Sequence, residues 1–209
     1  MKKIIACVMT VVMIVTTSQV KAQDYKHEFN LGYGYYTSSQ LFSGLAMAMV
    51  TIGSIGQIQM RNPHFYGSFG LSYAYHFNNV VAIRPVFRAD ISTYEVWRTN
   101  NGSYQDIQSV GLLHYTSLGA GLEMEIDYIN REWVKLYGYL GVIATFNLTG
   151  YKANEYGQTT GATSGTGFFP FFNAHITPIG VAFGKKFGGF AELGVGYNGL
   201  VRAGLYYKF

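Results

Sequence analysis

The chain is poor in the groups that usually hold a secreted protein together or keep it in water. It contains one cysteine, Cys7, so no intramolecular disulfide can form. Charged residues make up 12% of the 209 positions, about half the ~25% of an ordinary globular domain, which is thin cover for a wet surface. Disorder is excluded in turn, because 49% of the chain is hydrophobic and the formal charge is only +4. Glycine and aromatic rings are abundant, with 26 Gly, 18 Tyr, 15 Phe and 2 Trp. A helical bundle is disfavoured at that glycine content, since each helix-interior Gly costs about 1 kcal/mol relative to Ala. The length suits one domain.

The first 22 residues read as an export signal. Lys2 and Lys3 precede the apolar run Ile4 to Val15, and Val20-Lys21-Ala22 supplies the small side chains of a cleavage site. The run is too short to span a bilayer, which weighs against an uncleaved anchor. Cleavage after Ala22 defines a signal peptide over 1–22 and a mature domain over 23–209. Cys7 leaves with the leader, so the mature chain has neither a thiol nucleophile nor cysteine-ligated zinc. Twelve basic against eleven acidic residues then remain. A mature charge near zero gives no basic patch for nucleic acid.

From residue 27 onward apolar and polar residues alternate with period two, as on the two faces of a strand. Phe29, Leu31, Tyr33 and Tyr35 oppose Asn30, Gly32 and Gly34. Phe65, Phe69, Leu71, Tyr73, Tyr75 and Phe77 oppose Ser68, Gly70, Ser72, Ala74 and His76. Val81, Ile83, Pro85, Phe87, Ala89 and Ile91 oppose Arg84, Arg88, Asp90 and Ser92. Leu118, Ala120, Leu122, Met124, Ile126 and Tyr128 oppose Gly119, Gly121, Glu123, Glu125 and Asp127. A fifth strand runs over Val134 to Phe146 with its phase open, because Tyr137 and Tyr139 compete with Leu136, Leu140 and Val142. Three more are expected over Ala174–Phe183, Phe190–Gly196 and Leu200–Phe209.

Eight segments of about ten residues match tilted strands crossing a bilayer. A soluble lipocalin-like barrel or β-sandwich would turn the same apolar faces inward. Aromatic residues crowd the segment ends (Tyr35, Tyr36, Phe65, Tyr66, Tyr128, Trp133, Phe168 to Phe172, Tyr206 to Phe209), which favours interfacial girdles and hence the membrane. Tight connections at 78–79, 130–132 and 185–189 alternate with long ones at 37–63, 97–116 and 149–172. Short turns on the periplasmic rim and long loops outside are the asymmetry of bacterial outer-membrane barrels. In the last hairpin a three-residue loop, Tyr197-Asn198-Gly199, keeps the faces in phase. It pairs Gly196 with Leu200 and sets Glu192 opposite Gly204 and diagonal to Arg202.

The stretch Val201 to Phe209, ending in Phe with apolar residues at alternate positions, resembles the terminal strand of outer-membrane proteins. With the leader and the strand count, the mature chain is similar to the eight-stranded outer-membrane β-barrel proteins of the OmpA-transmembrane and OmpX architecture. The resemblance implies an all-β, antiparallel transmembrane barrel in the outer membrane, monomeric and open to the cell surface. It also implies contact with outer-membrane lipid and recognition of Phe209 by the assembly machinery. It implies no cofactor and no activity.

The residues that carry chemistry lie on the polar faces. Arg84, Arg88 and Asp90 stand beside Glu123, Glu125 and Asp127, and Glu192 stands near Arg202. Eight strands enclose little more than their own side chains. These charges are therefore expected to pair across the lumen as a structural network, in preference to an ion path or acid/base pair. His175-Ile176-Thr177 resembles the His-x-Ser of outer-membrane lipid A deacylases, with Thr in place of Ser and Glu192 as a distant carboxylate. His64 and His76 read as loop and turn-side singletons, and no histidine pair has metal-site spacing. A non-enzymatic structural or surface-binding protein is the leading reading, against a lipid-modifying enzyme or a small porin-like channel.

Leu41 to Ile58 breaks the alternation, with no charge and 11 of 18 residues apolar. Ser38 or Ser39 caps an expected helix over 40–52, ended by Gly53 and Gly56. Such a helix caps the barrel mouth, lies in the outer leaflet or docks a partner. A transmembrane helix is disfavoured because it breaks the strand parity. Leu41, Phe42, Leu45 and Met49 are the candidate binding residues, with Gln158 to Gly167 as a mobile companion loop.

Overall fold

A computed structural model describes residues 25–54, 57–99 and 107–209. The expected leader, with Cys7 and the cleavage point after Ala22, lies outside the described residues. Eight strands and two helices follow one another as β1 (His27–Tyr35), α1 (Ser38–Gly53), β2 (Ile58–His76), β3 (Val81–Thr99), β4 (Ile107–Asn130), β5 (Val134–Ala153), α2 (Glu155–Thr159), β6 (Gly165–Gly184), β7 (Phe187–Gly196) and β8 (Val201–Lys208). Each strand pairs antiparallel with its sequence neighbours, and β1 pairs with β8 through Leu31↔Leu205 to close the barrel.

The period-two faces decide which side is out. Leu31, Phe87 and Val142 are 58%, 62% and 64% exposed, whereas Ser72 and Arg84 on the other phase are each 1% exposed. A barrel with its apolar set outside and its charged set inside is inverted relative to a soluble one. It is stable only where hydrocarbon takes the place of water around the wall. The soluble alternatives fail on this point. The open phase of β5 is settled as well, with Tyr137 and Tyr139 buried and Leu140 and Val142 outside.

The wall is lopsided. β1, β7 and β8 have 8–10 residues, as a bilayer crossing requires, but β2 to β6 have 19–24. Most of what read as long loops at 37–63, 97–116 and 149–172 is therefore strand, or the helices α1 and α2. Lipid imposes the alternation only inside the bilayer. Beyond it the backbone ladder continues without the sequence pattern. One face also flips. Register shifts between Arg61 and His64 and between Phe65 and Ser68, with Gly67 at φ +75°, turn Phe65 inward against Tyr94. Phe65 thus does not share the outer face of Phe69.

Two local expectations are corrected. The helix starts earlier and its cap is Thr37, whose hydroxyl accepts from Gln40 N–H while the Gln40 side chain returns to Thr37 N–H. The β7–β8 hairpin is wider than three residues: Gly194 N–H bonds to Leu200 O at 3.0 Å, and Glu192 stands directly opposite Arg202. Gly199 does hold the left-handed position, at φ +93°. The hairpin widens because Tyr197 and Asn198 turn into the lumen, where both bond to Glu123. Among the described residues no helix is long and apolar enough to cross a membrane.

Candidate functional site

The lumen is packed with charge from the short-turn end to the mouth. Inward alternation places every charged residue predicted for the network, Arg84, Arg88, Asp90, Glu123, Glu125, Asp127, Glu192 and Arg202, in the interior. At mid-height Arg84 is the hub. Its Nη1 lies 2.6 Å from Glu125 and 3.9 Å from Glu192, its Nε is 3.4 Å from Glu123, and its guanidinium lies 4.7 Å from the Tyr139 ring centre. Arg202 Nη1 reaches Glu192 at 2.8 Å. The Tyr137 and Tyr139 hydroxyls donate to the two oxygens of Glu192, at 2.7 and 2.8 Å. Tyr197 and the Asn198 amide donate to Glu123 at 3.0 and 2.9 Å, and Arg88 Nη2 approaches the same oxygen at 3.8 Å.

The short-turn end adds four residues to the network that sequence reading left out of it. Lys135 Nζ bridges Glu28 at 3.0 Å and Glu125 at 2.8 Å. Lys208 Nζ is 3.9 Å from Glu28. His76 sits between Glu28 at 3.8 Å and Asp127 at 3.7 Å. His76 is therefore a lumen residue and no turn-side singleton, and Asp127 faces this histidine rather than an arginine. The missed signal was the phase itself: Glu28 shares the face of Asn30 and Gly32, Lys135 that of Tyr137, and Lys208 that of Arg202. The residues His76, Glu125 and Asp127 bring ligand atoms within 4.8 Å of one another, in the manner of a metal site. The Lys135 ammonium already supplies the positive charge there, 2.8 Å from Glu125.

Room for the long cations comes from the glycines on the same faces. A Cβ at Gly70 would overlap the Arg88 guanidinium, and one at Gly32 would stand 2.5 Å from Arg202 Nε. Near the mouth, Asp90 lies among the hydroxyls of Ser68, Ser39 and Thr37 at the start of α1, within reach of the Arg88 charge. A buried carboxylate at a helix N-terminus complements the helix dipole and anchors the first turn.

His175 and Thr177 do meet, with Nε2 and Oγ1 2.8 Å apart, but in the lumen, at 3% and 1% exposure. Asn198 N–H donates to Nδ1 at 3.3 Å, so Nε2 carries the proton and donates to Thr177. A general base would need Nε2 free. The ring is also wedged against Tyr139 and Tyr197, with centroids at 5.5 and 5.1 Å. His64 lies exposed on β2 and His114 exposed on β4.

At the mouth, α1 buries Ser39, Gln40 and Ser43 against the barrel. Ser43 Oγ pairs with Tyr94 OH at 2.5 Å, Asn173 Nδ2 donates to Ser38 at 2.5 Å, and Phe42 meets Phe171 edge-on at 5.7 Å. Beneath it, a cavity of about 240 Å³ is lined by Ser39, Phe42, Ser43, Tyr115, Asn147 and Phe169 among others. Of the candidate binding residues, Leu41, Leu45 and Met49 are exposed away from this cavity, while Phe42 lines it and is still 55% exposed. The companion stretch 158–167 holds the end of α2 and the start of β6.

These features define a transmembrane β-barrel of the outer-membrane type, closed by eight strands and filled by an ion-paired core. No protein-family model matches the chain, and no curated protein does. Among solved structures it is similar to Ail, the attachment invasion locus protein of Yersinia pestis. In complex with the heparin analogue sucrose octasulfate, that structure gives a TM-score of 0.43 at 16% identity, covering 88% of this chain and 99% of that one. A second structure of Ail gives 0.37 at 17% identity, covering 90% and 99%.

Breaking a buried pair strands its partners, at a cost of about 3–5 kcal/mol. Arg84→Met, which leaves Glu123, Glu125 and Glu192 facing one another, is expected to lower the folding free energy by that amount in urea titrations of the protein in lipid vesicles. The double variant Arg84→Met/Glu125→Met is expected to be less damaging than the single one, because it also removes one of the carboxylates left in excess, while Lys135 keeps Glu28 at 3.0 Å.

Proposed function

We propose that the chain is a non-enzymatic, non-conducting protein of the bacterial outer membrane that presents a binding surface outside the cell. The observation that carries this reading is the lopsided wall: β2 to β6 continue well beyond the length a bilayer needs while β1, β7 and β8 stop. Nothing about membrane anchoring requires a five-strand projection, and exposed elements on a rigid scaffold are where binding is placed. The leader is removed after Ala22, and the mature chain works as a monomer whose terminal Phe209 serves assembly.

The filled lumen supports the absence of conduction. An ion crossing mid-height would have to displace Arg84 from Glu125 and Arg202 from Glu192. In planar bilayers the protein is expected to give a flat current trace, and discrete conductance steps would refute that part of the reading.

The orientation is read with a membrane-impermeant maleimide on intact cells. Thr163→Cys, in the connection between α2 and β6, is expected to label from outside, and Lys185→Cys, in the β6–β7 turn, only after permeabilisation. The wild-type chain is expected to take no label in either case, because Cys7 has left with the leader. Labelling of Lys185→Cys on intact cells would invert the topology.

The deacylase alternative loses its general base, since His175 Nε2 donates to Thr177. Cells carrying His175→Ala and Thr177→Ala are expected to show the same lipid A acylation pattern as cells with the wild-type protein, by mass spectrometry. A changed pattern would revive the enzyme.

A further inference from the structure

The helix α1 is built inside out. A surface helix facing water turns apolar residues to the protein and polar ones to solvent. Here Ser39, Gln40 and Ser43 face the barrel, and Leu41, Leu45, Met49 and Ile52, spaced by four, four and three residues, form an exposed stripe flanked by Phe42 and Val50. No charged residue occurs between Glu28 and Arg61, so no charge holds this element in water. The barrel wall has the same inversion for a known reason: its outside meets hydrocarbon.

The position of α1 extends that wall. β1 leaves the barrel at Tyr35, opposite Val201 at the start of β8, and α1 begins three residues later. β6 pairs with β7 only as far as His175↔Gly196, and β1 with β2 only as far as Gly34↔Ser68. Between the rising β2 and β6 the ring is therefore open above β7, β8 and β1. α1 touches β2 and β7, and its Phe42 leans on Phe171 of β6. The rim around its first turns carries exposed Tyr36, Phe172, Val195, Leu200 and Val201.

We infer that α1 is a lipid-contacting wall element, with Leu41, Phe42 and Leu45 packed against acyl chains of the outer leaflet. The barrel's apolar band continues upward onto the helix without an intervening charge, and hydrocarbon is the one occupant that covers both. A water-filled mouth plug would show the opposite facing. This inference rests on the membrane reading of the barrel, and the experiment separates the two.

The mature chain is expected to have no cysteine, so Leu41→Cys, Leu45→Cys and Val201→Cys each place one small environment-sensitive fluorophore on an exposed position. The full chain is refolded into phosphatidylcholine vesicles, and its folded fraction is confirmed by heat-modifiable gel migration. Fluorescence is then read with phosphatidylcholine carrying a nitroxide at a shallow acyl position, and separately with aqueous iodide. Probes at 41 and 45 are expected to lose intensity to the nitroxide as fully as the barrel-wall probe at 201, and to resist iodide. Iodide quenching at 41 and 45 with nitroxide quenching retained at 201 would overturn the inference and leave the barrel in the membrane. Protection of 41 and 45 from both quenchers would also overturn it, in favour of a second copy or another protein on this face. Failure at 201 as well would sink the membrane reading itself.

Discussion

The structure depends on one constraint: in hydrocarbon, every polar group must find its partner within the protein. The backbone meets it by closing the sheet, with β1 hydrogen-bonded to β8 so that no edge faces lipid. The side chains meet it by turning inward, and this creates the second problem. Six buried carboxylates, Glu28, Asp90, Glu123, Glu125, Asp127 and Glu192, share one narrow tube with five buried cations, Arg84, Arg88, Lys135, Arg202 and Lys208. His76 lies between Glu28 and Asp127, 3.8 and 3.7 Å from their carboxylates.

Neutrality alone does not make such an interior stable, because desolvation of a buried charge can exceed the attraction to its partner. The lumen answers with multiplicity. Glu192 accepts two tyrosine hydroxyls and an arginine, Glu123 accepts a tyrosine and an asparagine, and Glu125 is bridged by Arg84 and Lys135. The cations lie over rings, Arg84 on Tyr139, Lys135 on Tyr137, Arg202 on Phe190 and Lys208 on Tyr206. Glycines opposite the arginines make the space. The abundance of Gly and Tyr in the composition is thus part of the same solution as the charge network.

This explains which parts of the fold were legible in the sequence. Inside the bilayer the two media differ most, so Ile83 against Arg84 or Leu122 against Glu123 declares its face at once. β5 was ambiguous because a lumen tyrosine is apolar in composition and polar in use: Tyr137 and Tyr139 look like wall residues until their hydroxyls are seen on Glu192. Lys135 was lost with that phase. Above the membrane the alternation disappears, so the outer portions of β2 to β6 read as loops although their ladders continue. The bulge at Gly67 reversed Phe65 with no warning in the periodicity. The β7–β8 hairpin widened because Asn198 and Tyr197 serve Glu123, a long-range demand that no local turn rule contains.

The helix follows from the same constraint, applied to the gap that the short strands leave. A strand there would have to end with its hydrogen-bond ladder unpaired, since β1 stops at Tyr35 and β8 begins at Val201. A helix satisfies its own backbone and needs no neighbour. What remains to be settled is its side chains, and they obey the rule of the strands: hydroxyls and amide toward the shared interior, aliphatic groups away from it. Thr37, capping the first turn and facing Asp90, is the point where the charged core ends and the neutral mouth begins.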